Sequence, residues 1–127
     1  MTTRRSAVTA DIYVGKVEEP QTAEGLMRSR FAAFRNADAA WLLRTWHPST
    51  RPATLDLSDN PQWRGLQIVE VVDGGPDDDR GIVEFRATSL SDGGGVDVLH
   101  ERSRFVREGG RWFYLDGEVR SAGGPGR

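Results

Sequence analysis

The sequence predicts an α+β fold in one domain, with two helices followed by an antiparallel sheet. Three observations carry that prediction. Apolar residues between Thr22 and Arg35 recur at helical spacing, whereas from Trp63 onward the period drops to two. Glycine-rich turns separate four such alternating stretches, and four strands in succession imply a meander. A length of 127 residues leaves room for one core and no second domain.

Residues 1–19 show no sustained period, and residues 120–127 are rich in Gly and Pro. Both are expected to be tails, the first partly disordered, around a domain over 20–119. Asp11 to Val17 has strand character but is too short to assign.

The first helix should start after Thr22, an N-cap placed just behind Pro20, and run to Arg35. At 100° per residue, Ala23, Leu26, Met27, Phe31 and Phe34 share one stripe, which faces the core. Arg30 projects inside that stripe and is the first residue out of pattern. Asp38 caps a second, shorter helix expected to reach Trp46, and Pro48 ends it because the residue before proline avoids the α region. The connector from His47 to Pro52, stiffened by two prolines, could hold a site and carries Arg51.

The strands are expected over Leu66–Val72, Gly81–Ser89, Val96–Arg107 and Arg111–Val119. Gly109-Gly110 suits a two-residue turn that needs positive φ at both positions. Counting outward from it, Arg107 faces Trp112, Phe105 faces Tyr114 and Ser103 faces Asp116, with Leu99 and Glu101 on the same side. If the helices cover this side, Arg30 enters one pocket with Glu101, Ser103 and Asp116. The other side carries Val98, His100, Arg102, Arg104, Val106, Phe113 and Leu115. It is too apolar for plain solvated surface, so a homodimer through this outer face is expected, with its arginines meeting acids such as Glu84.

Seventeen basic and nineteen acidic side chains leave a net charge of -2, with no positive field to favour nucleic acid. There is no cysteine, which excludes disulfides, thiolate zinc sites and a cysteine nucleophile. No apolar run approaches the roughly 20 residues of a membrane span, and no export signal is legible, so a cytoplasmic protein is expected.

Two stretches carry a resemblance. Leu26-Met27-Arg28-Ser29-Arg30-Phe31 with Trp46-His47-Pro48-Ser49-Thr50-Arg51-Pro52 is one; Leu99-His100-Glu101-Arg102-Ser103-Arg104-Phe105 with Gly110-Arg111-Trp112-Phe113-Tyr114-Leu115-Asp116-Gly117 is the other. Over approximately Pro20 to Val119 the chain resembles the YchJ-like bacterial family. The resemblance implies a nuclear transport factor 2-like, or SnoaL-like, cone, in which helices fold against a curved sheet and leave a pocket in its concave face. Members usually carry cysteine-rich metal-binding motifs beside this domain. Those cysteines are missing here, so no role resting on them transfers. Related cones include isomerases, dehydratases and non-catalytic binding modules, so the fold decides no activity.

Two functions follow. The first is a binding module for a small polar or anionic ligand, or a partner segment, held by Arg30, Arg51, Glu101, Ser103, Trp112, Tyr114 and Asp116. The second is a cofactor-free isomerase or dehydratase in which Asp116 or Glu101 takes a proton and Tyr114 or His47 polarises a carbonyl. Each residue also has a structural alternative. Arg30 with an acid makes a buried ion pair, and His47 a cation at a helix C-terminus. Two histidines without a carboxylate pattern make no metal site, and neither Asp77-Asp78-Asp79 nor Gly93-Gly94-Gly95 has the spacing for calcium or phosphate. No cofactor is expected.

Overall fold

The computed structural model describes residues 19–120. The expectations for the two tails, including Asp11 to Val17, lie outside those residues, save that Arg120, expected to open the second tail, is the last residue of a strand. Helix α1 spans Ala23–Arg35 and begins as expected, the Thr22 hydroxyl accepting from the Gly25 N–H at 2.9 Å. Helix α2 spans Ala39–Arg44, and its cap Asp38 accepts from the Trp41 N–H at 3.1 Å. The sheet follows as β1 (Gln62–Asp73), β2 (Arg80–Leu90), β3 (Val96–Glu108) and β4 (Arg111–Arg120). They pair antiparallel in chain order, a meander.

Helix α2 ends two residues before the expected Trp46. Thr45 explains this, because its carbonyl accepts the Tyr114 N–H of β4 at 2.8 Å, and the Tyr114 carbonyl accepts the His47 N–H at 2.8 Å. Sheet pairing therefore captures the chain one turn before Pro48 would stop it. The consequence is positional, since Trp46 sits beside Tyr114 with ring centroids 5.3 Å apart.

Helix α1 lies across one face of the sheet. Its Ala23, Leu26 and Met27 pack with Val83, Phe85, Ala87, Phe105 and Trp112 as the apolar core. The start of α1 meets the first hairpin almost backbone to backbone. The Ala23 N–H donates to the Gly74 carbonyl at 2.9 Å, and a Cβ built on Gly81 would lie 2.6 Å from Gly74 Cα and 2.9 Å from Ala23 Cβ. Glycine at 81 is what lets the helix approach this closely.

The last hairpin turns through Gly109 and Gly110, both at positive φ, and Arg107 faces Trp112 and Phe105 faces Tyr114 as expected. Beyond that pair the register departs from expectation. Arg104 faces Asp116 and Ser103 faces Gly117, because Leu115 is an extra residue in β4, a β-bulge. One inserted residue exchanges the two faces for everything that follows it. Asp116 is thereby turned to the outer side, where it accepts from Arg104 Nε at 2.7 Å and Nη2 at 2.5 Å.

The outer face is a lattice of charges that neutralise one another. Arg102 donates to Glu70 at 2.7 Å and to Glu84 at 2.8 Å, and the second Glu84 oxygen lies 2.6 Å from His100 Nε2. These hydrogen bonds hold the Glu84 carboxyl below the usual carboxylate range. Glu84, anticipated as a rim partner across two copies, is thus engaged within its own chain.

Candidate functional site

Between α1 and the inner sheet face lies a cavity of about 220 Å3. Apolar side chains make most of its wall: Met27, Phe31 and Phe34 from the helix, and Trp63, Phe85 and Leu99 from the sheet. Helical spacing brings the first three to one side, and the alternation of strands brings the others opposite them. The polar lining is short, consisting of Arg30, Glu101, Ser103 and the hydroxyl of Tyr114.

Arg30 is 3% exposed. Its Nη1 donates to the Leu42 carbonyl at 2.9 Å and to the Thr45 hydroxyl at 2.7 Å, contacts created by the early end of α2. Among the described residues Nε and Nη2 have no hydrogen-bond partner, and no carboxylate lies within 4 Å of the guanidinium. Its remaining compensation is aromatic. The guanidinium carbon lies 4.6 Å from the Tyr114 ring centroid and 5.2 Å from that of Trp46. Burial lowers Arg30 from its ordinary 12.5 to about 10, against the opposing pull of Tyr114 and Glu101, so it stays charged at neutral pH.

Glu101 is held through one oxygen. Oε2 accepts from the Ser103 hydroxyl at 2.7 Å and from the Tyr114 hydroxyl at 3.2 Å, and among the described residues Oε1 has no partner. The carboxylate lies over the bare backbone of Gly117, where a Cβ would overlap Oε2 and sit 2.7 Å from Cδ. Burial first, and the neighbouring Glu101 carboxylate second, push the Tyr114 hydroxyl well above the ordinary tyrosine range. Tyr114 is therefore a hydrogen-bond donor and not a phenolate. Trp46 completes this end, its indole N–H buried without a partner among the described residues.

Of the residues anticipated from sequence, Arg30, Glu101, Ser103 and Tyr114 come together at the cavity. Four do not. Asp116 is on the opposite face, for the reason of the bulge. Trp112 is buried in the core, its indole donating to the Gln21 carbonyl at 3.1 Å. His47 lies toward the end of the last hairpin, bonded to Ser49 at 2.7 Å and to Glu108 at 3.0 Å, because it follows the edge of β4. Arg51 is exposed and donates to the Trp46 carbonyl at 3.0 Å, a local bond that closes the connector on itself.

Sequence reasoning missed Phe34, Trp63 and Leu99 as cavity residues, and Gly117. The three apolar positions carried the same signal as any core position. Gly117 became visible only once the bulge set its register against Ser103.

The comparison with known proteins now decides the family, because the model for "YchJ, middle NTF2-like domain" matches residues 22–117. The chain belongs to the YchJ family. Among its relatives, a UPF0225 protein of Streptomyces coelicolor is 56% identical over 106 residues, which cover 84% of this chain and 82% of that protein. A UPF0225 protein of Deinococcus radiodurans is 43% identical over 111 residues, covering 87% and 79%. The fold of this YchJ-family chain is similar to that of a SEC-C motif containing protein from Rhodopseudomonas palustris. There the TM-score is 0.70 at 31% identity, over 82% of this chain and 83% of that one. It is also similar to a SEC-C motif containing protein from Psychrobacter arcticus, with a TM-score of 0.65 at 26% identity over 86% and 67%. The NTF2-like α+β fold, two short helices on a curved four-stranded antiparallel sheet, is shared.

Proposed function

We propose that this YchJ-family domain is a binding module whose cavity takes up a small molecule with an apolar body and one polar head, the head meeting Arg30. One observation carries the reading. A charged guanidinium is buried in the wall of a mainly apolar cavity with part of its donor set unused, and burying a charge is costly unless it is fully partnered. A ligand oxygen would supply the missing acceptor. The volume supports the size class, since an apolar cavity of roughly 150 Å3 accepts benzene, and pockets for drug-sized molecules start near about 300 Å3.

A catalytic reading is favoured by one contact, the Tyr114 hydroxyl on Glu101 at the cavity wall. In it Glu101 takes a proton from a bound carbonyl compound while Arg30 stabilises the oxyanion. Asp116 and His47 have no part in either reading.

The test is a thermal-shift screen of small molecules on three proteins: the wild type, Arg30→Met, and Leu99→Trp, which fills the cavity from a half-buried position. Ligands of this site should stabilise the wild type and lose that effect in both variants. Stabilisation that survives in Leu99→Trp places the ligand elsewhere and ends the proposal. Consumption of a hit, abolished by Glu101→Gln, would favour the catalytic reading.

A further inference from the structure

Resting on that reading, we infer that the cavity selects a neutral head group that both donates and accepts a hydrogen bond, such as a primary carboxamide, in preference to a carboxylate or an amine. The sequence predicts a pocket for a small polar or anionic molecule, with Arg30 and Glu101 both in it. The structure keeps these two opposite charges at the cavity and removes Asp116 from it. Glu101 and Arg30 both line the cavity, close enough for each charge to act on its surroundings but farther apart than an ion pair. Because they do not touch, each keeps unused capacity, Nε and Nη2 on Arg30 and Oε1 on Glu101.

That pair sets the selectivity. An anionic head is attracted by Arg30 and repelled by Glu101, so the two effects offset, while the ion still loses its hydration on entering an apolar cavity. An ammonium head meets the same balance with the signs exchanged. A neutral amide avoids the ionic desolvation, and its C=O and N–H match the free donors of Arg30 and the free oxygen of Glu101. Glu101 cannot withdraw from this role by rotating freely. Ser103 and Tyr114 hold its other oxygen, and Gly117 leaves the space over which it lies.

Benzamide, benzoate and benzylamine share one ring-sized body and differ only in the head, so they separate the contributions. Titration calorimetry on the wild-type chain at neutral pH should give benzamide at least about tenfold tighter than either of the others. In Glu101→Gln, which keeps an oxygen for Ser103 and Tyr114 but removes the charge, benzoate should become the tighter ligand. Benzoate binding the wild type as tightly as benzamide would overturn this inference while leaving the cavity as the binding site. An unchanged order in a folded Glu101→Gln would overturn it as well. Binding of none of the three would instead strike the underlying proposal, and this inference with it.

Discussion

Glu101 of β3 reaches diagonally over Gly117 of β4: the carboxylate of one occupies the space that a side chain on the other would fill. Ser103 stands directly opposite Gly117, so the bulge at Leu115 that removes Asp116 from the cavity is also what brings a glycine under Glu101.

That relationship makes Gly117→Ala informative. An alanine in a strand would ordinarily stabilise slightly by restricting the unfolded chain. Here it should push the flexible Glu101 side chain aside and break its bonds to Ser103 and Tyr114, at a net cost of about 1 kcal/mol. Thermal unfolding should show a lowered Tm that a second change, Glu101→Ala, largely restores. An unchanged Tm in the single variant would mean that Glu101 does not lie where described.

Asp116 provides the opposite case. Its ion pair with Arg104 is largely solvated, with the Arg104 side chain 61% exposed, and such pairs contribute little to stability. Asp116→Asn should therefore shift urea unfolding only slightly and leave ligand affinity unchanged. Loss of binding in this variant would return Asp116 to the site.

Gly81 is expected to be far less tolerant. The atom nearest to an added Cβ is backbone, Gly74 Cα at 2.6 Å, and backbone cannot step aside as the end of a side chain can. Gly81→Ala should cost about 1–3 kcal/mol and lower Tm by roughly 4 °C or more. A Tm within a degree of wild type would contradict the close seating of α1 on the first hairpin.

Tyr114 can be followed by its own absorbance. Tyr13→Phe leaves it the one tyrosine, and its phenolate signal should appear only at pH values above the ordinary tyrosine value of 10. The folded-state value is raised, so this contribution to stability is whole below about pH 10 and is lost as pH climbs beyond it. Arg30 acts with the opposite sign between about 10 and 12.5, where the unfolded chain keeps a proton the folded one has released. The spectroscopic titration separates the two. A midpoint at or below 10 would show that Tyr114 is neither buried nor beside a carboxylate.

Most of the fold was legible because its signals are local. Thr22 and Asp38 cap the two helices, the helical stripe from Ala23 to Phe34 faces the sheet, and Gly109-Gly110 turns the last hairpin. The cavity was half legible. Arg30 stood out as a charge in an apolar stripe, and Glu101, Ser103 and Tyr114 followed by counting from the turn. Asp116 failed because counting assumes an unbroken ladder, and nothing in Tyr114-Leu115-Asp116-Gly117 announces an inserted residue. Counting from the turn put Trp112 on the cavity side, and Trp63 fell before Leu66, the expected start of a strand that in fact begins at Gln62. Only the position of α1 puts the first in the core and the second on the cavity.

The most direct measurement of the central claim uses the four tryptophan indole N–H resonances in nitrogen-labelled protein. Trp46 and Trp63 line the cavity, whereas Trp41 bonds Ser29 at 3.0 Å and Trp112 bonds the Gln21 carbonyl at 3.1 Å, both away from it. On titration with benzamide, Trp46 and Trp63 should shift together with one saturation curve, while Trp41 and Trp112 stay in place. Movement of Trp41 or Trp112 with the other two unmoved, or no movement at about 10 mM ligand, would contradict the assignment of the cavity as the binding site.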